Sequence, residues 1–137
     1  MRTALDTNVI SAIWSAEASA PRLLQQLEDA MELGGLVICP VVYAELYGYP
    51  NMTRAKIEGF LDETRVTVDW GTDREIWDLA GDRFAQYGRR RRKQKLSDPK
   101  RFLADFFIGA HAALRADRLL TRDQRRYRHD FPELQLM

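Results

Sequence analysis

The chain has 137 residues, 45% of them hydrophobic, and a formal net charge of +1; that length suits one compact domain spanning residues 1–137 and leaves no room for a second. No apolar run approaches the roughly 20 residues needed to cross a bilayer, and the first residues lack the apolar stretch of a secretory signal, so a cytoplasmic protein with no membrane association is expected. The near-neutral total hides an asymmetry: residues 1–88 hold 7 Lys or Arg against 14 Asp or Glu, and residues 89–137 hold 14 against 6. Such halves can simply attract each other, or present an acidic cluster beside a basic field.

In chain order, Arg2-Thr3-Ala4-Leu5 runs straight into Asp6-Thr7-Asn8, which reads as a buried strand tipped by an acid where a helix begins. Ser19 and Pro21 form a start signal, and Leu23, Leu24, Leu27 and Met31 share one helical face, predicting a helix over 20–33 closed by Gly34-Gly35. Leu36 to Cys39 reads as a short buried strand, and Pro40 as the first turn of a helix carrying Glu45. The lone Cys39 is read as a buried structural thiol. Ile57, Phe60 and Leu61 mark a further helix, and the alternation in Val66-Thr67-Val68 a third strand. A longer helix capped by Thr72 or Asp73 carries the stripe Ile76, Ala80, Phe84 and Tyr87 and is expected to end near Gly88.

From Arg89 to Arg101 a basic, Pro-containing connection predicts an exposed loop or frayed helix end, and the segment most able to move. Leu103, Phe106, Phe107, Ala110 and Leu114 restore helical period. A strand over Arg118–Leu120 follows, then Thr121-Arg122-Asp123 as a second acid-bearing tip, a short basic helix around 123–130 and a final strand over Leu134–Leu136. Strands alternating with helices imply an α/β fold with right-handed crossovers and a mainly parallel sheet covered on both faces.

Taken singly, each acid has a structural explanation: Asp6, Thr7 and Asn8 are good caps, Glu45 suits a solvated helix position, Asp105 a first turn, and Asp123 a cap. Jointly, Asp6 and Asp123 follow strands, Glu45 lies in a helix entered from a strand, and Asp105 opens a helix feeding the Asp123 strand. All four can therefore project toward one sheet edge, where ligands of open α/β sheets bind. Two carboxylates about 4 Å apart repel by roughly 4 kcal/mol at an effective dielectric near 20, so either a proton is retained or a divalent cation supplies charge. All-oxygen ligation favours Mg²⁺ or Mn²⁺. His111 is read as a helix or core residue and His129 as a surface one.

Leu5-Asp6-Thr7-Asn8-Val9, Ala44-Glu45-Leu46, Ala104-Asp105-Phe106-Phe107-Ile108-Gly109-Ala110-His111-Ala112 and Leu120-Thr121-Arg122-Asp123, in this order, resemble the PIN domain, particularly the VapC-type toxins of toxin-antitoxin pairs. The likeness covers nearly the whole chain. It implies a three-layer fold with a sheet of about five parallel strands, and metal-dependent cleavage of single-stranded RNA by the quartet Asp6, Glu45, Asp105 and Asp123 around Mg²⁺ or Mn²⁺. Asn8 and Thr121, with Thr7, match positions that support the quartet by hydrogen bonding. The resemblance also implies a homodimer and a small antitoxin that covers the site. The length and basicity of the 88–102 connection depart from the family pattern.

Arg89, Arg90, Arg91, Arg92, Lys93 and Lys95 put six cations in seven positions. They read either as a solvated helix end or as a phosphate-capturing segment, in competition with Arg122, Arg125, Arg126 and Arg128. Trp14, Tyr43, Tyr47 and Tyr49 suit core packing, or else an antitoxin or dimer surface. Two rival functions are a non-catalytic RNA-binding module, which leaves the four acids unexplained, and a haloacid dehalogenase-type phosphatase, which wants an Asp where Asn8 stands.

Overall fold

The computed structural model describes residues 1–94 and 101–137. Strands β1 (Thr3–Leu5), β2 (Leu36–Ile38), β3 (Val66–Val68) and β4 (Arg118–Leu120) form one sheet in the order β3-β2-β1-β4, with every pairing parallel. Parallel neighbours need long crossovers, and helices supply them. Helices α1 (Thr7–Trp14) and α2 (Ala20–Leu33) connect β1 to β2, and α3 (Pro40–Leu46) and α4 (Arg54–Thr64) connect β2 to β3. Helices α5 (Arg74–Gln94) and α6 (Leu103–Arg115) lie between β3 and β4, and α7 (Gln124–Asp130) follows β4. The expected final strand appears as one parallel bridge from Leu136 to Leu119, with the Leu119 amide donating to the Gln135 carbonyl at 2.9 Å.

Strands β1, β2 and β4 are buried along their whole length, as parallel strands covered on both faces must be. Edge strand β3 buries Val66 and exposes Thr67. One core joins Leu5, Ile10, Val37, Ile38, Val42, Ile57, Ile76, Phe106, Phe107 and Leu119. Helix α6 approaches the end of α7 so closely that a Cβ on Gly109 would lie 2.3 Å from the Phe131 ring. Trp14 packs edge-on against Tyr49 and Phe60, and Tyr43 against Tyr47 and Trp70, at 5.0 to 5.6 Å between ring centres. Core-edge packing thus accounts for Trp14, Tyr43 and Tyr49, while Tyr47 stays exposed.

The expected end of α5 near Gly88 is corrected: the helix continues through the arginines to Gln94. Arginine is a strong helix former, cations in a last turn complement the helix dipole, and Arg90 is drawn into an ion pair with buried Asp130 at the end of α7. Together these outweigh the cost of Gly88 inside the helix. The remainder of the connection, with Lys95 and the mobility expected there, lies in residues 95–100, outside the described residues. Among the described residues no helix is long and apolar enough to cross a membrane.

The strand order has a functional consequence. The chain builds outward from β1 through β2 to β3, then returns to lay β4 on the opposite side of β1. Crossovers diverge at the β1/β4 pair, and the crevice beyond the carboxyl ends of such a pair is where an open α/β sheet receives ligands. Asp6 and Thr121 are the first residues past those two ends.

Candidate active site

Asp6 occupies the N-cap position of α1 in extended backbone, yet its side chain makes no capping bond. An aspartate there ordinarily accepts from the first turn; Asp6 Oδ2 accepts instead from the Thr121 hydroxyl, 2.8 Å away at the end of β4. The residue is 6% exposed. Burial pushes its carboxyl above the usual range, against the hydrogen bond from Thr121, and the charge of Asp105 pushes it further. A capping role therefore does not explain Asp6.

The Thr121 hydroxyl also accepts from the Asp123 amide at 3.0 Å and from Asn8 Nδ2 at 3.5 Å, while Asn8 Oδ1 accepts from the Arg122 amide at 3.2 Å. One hydroxyl and one amide side chain thereby lock the tip of β1 to the tip of β4. On the other flank, Thr7 Oγ1 donates to Glu45 Oε1 at 2.7 Å, linking α1 to α3. Burial raises the Glu45 carboxyl in spite of that bond, and Asp6 and Asp105 add repulsion. Asp105 lies in the first turn of α6 with its side chain 19% exposed.

Asp123 enters by a different route. Its Oδ1 caps α7 by accepting from the Arg126 amide at 3.4 Å. The Arg126 side chain then ties it to its neighbour: Nε lies 3.1 Å from Asp123 Oδ2, and Nη1 lies 3.2 Å from Asp105 Oδ2. Asp6, Glu45 and Asp105 thus feel one another's charge directly, and Asp123 joins them through Arg126.

The donor set is carboxylate and hydroxyl oxygen, which fits a hard divalent cation. His111 is buried within α6 and held by Asp69 at 3.0 Å, and burial raises the Cys39 thiol to about 11, so neither offers a softer ligand. Three mutually repelling carboxylates, two of them raised by burial, are what such an ion would neutralise. As they stand, no three His, Cys, Asp or Glu side chains among the described residues are arranged to hold a metal ion. The Arg126 guanidinium holds two of the four acids instead.

Sequence reading missed two residues here. Tyr127, almost wholly buried, sets its hydroxyl against Asp6, and burial together with Asp6 and Asp105 suppresses its ionisation. It is the one aromatic in a basic helix, four residues after Asp123 and so on the same face, a spacing that could have revealed it. Arg101, four residues before Asp105, is buried with its guanidinium 4.6 Å from the centre of the Phe106 ring. It pairs with Asp130 and lies 4.0 Å from Asp105.

The basic run divides by helical face. Arg90 is committed to Asp130, and Arg91 donates to the Tyr87 hydroxyl at 3.4 Å. Arg89, Arg92 and Lys93 are exposed. Arg122 pairs with Glu17 at 3.0 Å, and Arg125 and His129 are exposed on α7.

Comparison with curated proteins finds no match. Among solved structures, VapBC-1 from nontypeable Haemophilus influenzae is similar over 100% of this chain and 97% of its own, with 21% identity and a TM-score of 0.67. DNA-bound VapBC from Salmonella typhimurium gives 21% identity, the same coverages and a TM-score of 0.62. VapBC2 from Rickettsia felis, bound to a promoter DNA fragment, gives 21% identity, 100% and 98% coverage and a TM-score of 0.57. At that identity the likeness speaks for the fold. The PIN domain family profile matches residues 3–132, nearly the entire chain and every residue of the acidic site, and on that match the protein belongs to the PIN domain family.

Proposed function

We propose that this PIN domain is a metal-dependent endoribonuclease that cleaves single-stranded RNA in the cytoplasm as the VapC-type toxin of a toxin-antitoxin pair. The observation that carries the reading is Asp6: a buried aspartate at a helix N-cap that forgoes capping, is fixed by a threonine from another strand, and is repelled by a carboxylate from a third element. Asp6, Glu45 and Asp105 are the side chains that would hold Mg²⁺ or Mn²⁺, with Asp123 beside them. A divalent ion bound there supplies Lewis-acid charge and makes a coordinated water more acidic for attack on a phosphodiester. Thr121 fixes the orientation of Asp6, Thr7 that of Glu45, and Asn8 keeps the two strand tips in register. Tyr127 and the surrounding core keep water from the inner side of Asp6.

Partner binding rests on different features. Phe102 is 75% exposed and Leu103 49%, one turn before Asp105. Apolar surface at the edge of an acidic site suits an antitoxin segment that would cover it. The proposed toxin is a homodimer, and Arg89, Arg92 and Lys93 are its first candidates for binding RNA phosphates, ahead of Arg90 and Arg122, which are engaged in ion pairs. An RNA-binding module without catalysis would draw on the same cations, but it gives no reason for a buried, repelled Asp6.

The test is cleavage of single-stranded RNA with Mg²⁺ or Mn²⁺, with and without EDTA. Asp6→Asn and Asp105→Asn keep shape and lose charge, and each should lower the rate by at least about a hundredfold. Folded Asp6→Asn protein that still cuts at the wild-type rate would end the proposal.

A further inference from the structure

We propose that Arg126 is the resident cation of the acidic site, competing with a divalent ion for Asp105 and Asp123 and leaving them when the ion binds; this rests on the metal-dependent reading above. The guanidinium bridges Asp105 on α6 and Asp123 in the turn before α7. Nε lies 3.1 Å from Asp123 Oδ2 and Nη1 lies 3.2 Å from Asp105 Oδ2. One planar fork spans carboxylates from α6 and from the turn before α7, a role for which a lysine's single charged point is poorly shaped. Arg101 brings a second guanidinium to the same Asp105 oxygen, at 4.0 Å. It is buried and caged by Phe106, Tyr87 and Tyr127, however, and its charge is spent on Asp130. Arg126 is 37% exposed and so is able to swing away.

The four acids constitute a charge problem with two solutions, and Arg126 is the internal one. While it bridges Asp105 and Asp123, their oxygens are turned to a guanidinium, and no three acidic side chains among the described residues are arranged to hold an ion. Binding a divalent ion therefore includes breaking a charge-assisted hydrogen bond to Asp105 and an ion pair to Asp123. The exchange keeps the carboxylates neutralised and together before metal arrives, and it weakens the apparent metal affinity by the strength of the bridge.

The experiment measures Mn²⁺ affinity by calorimetry on intact protein, with no RNA present. Arg126→Gln should bind Mn²⁺ about tenfold more tightly than wild type. Arg125→Gln removes the same charge from the neighbouring exposed position and should stay within about twofold of wild type, since a partly screened surface charge contributes little. Equal affinities for the two variants would overturn the proposal. If wild type binds Mn²⁺ and Asp6→Asn does not, such equality sinks the Arg126 exchange alone; if no form binds Mn²⁺, the metal-dependent reading falls with it. Should Arg126→Gln not fold, the Arg126 Nε–H resonance of wild type replaces it: release on Mg²⁺ addition supports the exchange, and an unchanged signal at saturating Mg²⁺ overturns it.

Discussion

At the scale of single residues, the site depends on the Thr121 hydroxyl more than on any one ion pair. It donates to Asp6 and accepts from Asp123 and Asn8, so three residues implicated by the sequence converge on one oxygen. Thr121→Val keeps the shape and removes the oxygen. It should lower RNA cleavage about 10- to 100-fold, the usual effect of losing a group that orients a metal-binding carboxylate, and cost about 1–3 kcal/mol in stability for the polar groups left without a partner. Thr121→Ser restores the donor and should recover most of both. Cleavage rates set beside thermal melts decide it, and wild-type cleavage by the valine variant would show that Asp6 needs no such support. These residues were legible because each stands one to three positions past a strand, where the change from strand to helix marks a tip. Tyr127 left a signal only in its four-residue spacing from Asp123, and Arg101 left none, because its burial depends on Tyr87 and Tyr127 from other elements.

At the scale of elements, α6 does two tasks: its first turn presents Asp105, and its middle seals the core. The seal is tightest at Gly109, where an added Cβ would fall 2.3 Å from the Phe131 ring. Phe131 is fully buried and follows α7 directly, so it cannot retreat without moving the helix that carries Tyr127 and Arg126. Gly109→Ala would gain helix propensity on an exposed surface; here overpacking should dominate, with a loss of about 1–3 kcal/mol by denaturant unfolding. A variant as stable as wild type would mean that the Phe131 ring yields easily. Most element positions could be read from apolar period and punctuation, with α2 and α3 starting where Ser19-Ala20-Pro21 and Pro40 indicate. The end of α5 could not, since Gly88 and a polar run look like a stop until Asp130, forty residues beyond Arg90, supplies the partner that keeps the helix going.

At the scale of the whole molecule, the charge asymmetry separates into parts with different work. The acidic half contributes Asp6 and Glu45, but Asp105 and Asp123 come from the basic half, so the quartet straddles the divide and draws in a basic-half arginine as its counter-charge. Composition could show the imbalance and not this crossing, which exists only because β4 returns to lie beside β1. The remaining cations of α5 are sorted by the same geometry: Arg90 faces inward to Asp130, while Arg89, Arg92 and Lys93 face solvent. Spaced at i, i+3 and i+4, the exposed three form one ridge able to follow a phosphate backbone without reading bases. Replacing all three by alanine in an Asp6→Asn background, where RNA stays intact, should weaken binding to unrelated single-stranded RNAs alike. It should also flatten the log-log salt dependence by about 2, at roughly 0.7 for each phosphate no longer neutralised. Arg90 must be left in place, because its removal would uncover a buried aspartate and confuse folding with binding. Binding measured across a salt series gives the slope directly, and an unchanged slope would assign the ridge to solubility and turn attention to the exposed cations of α7.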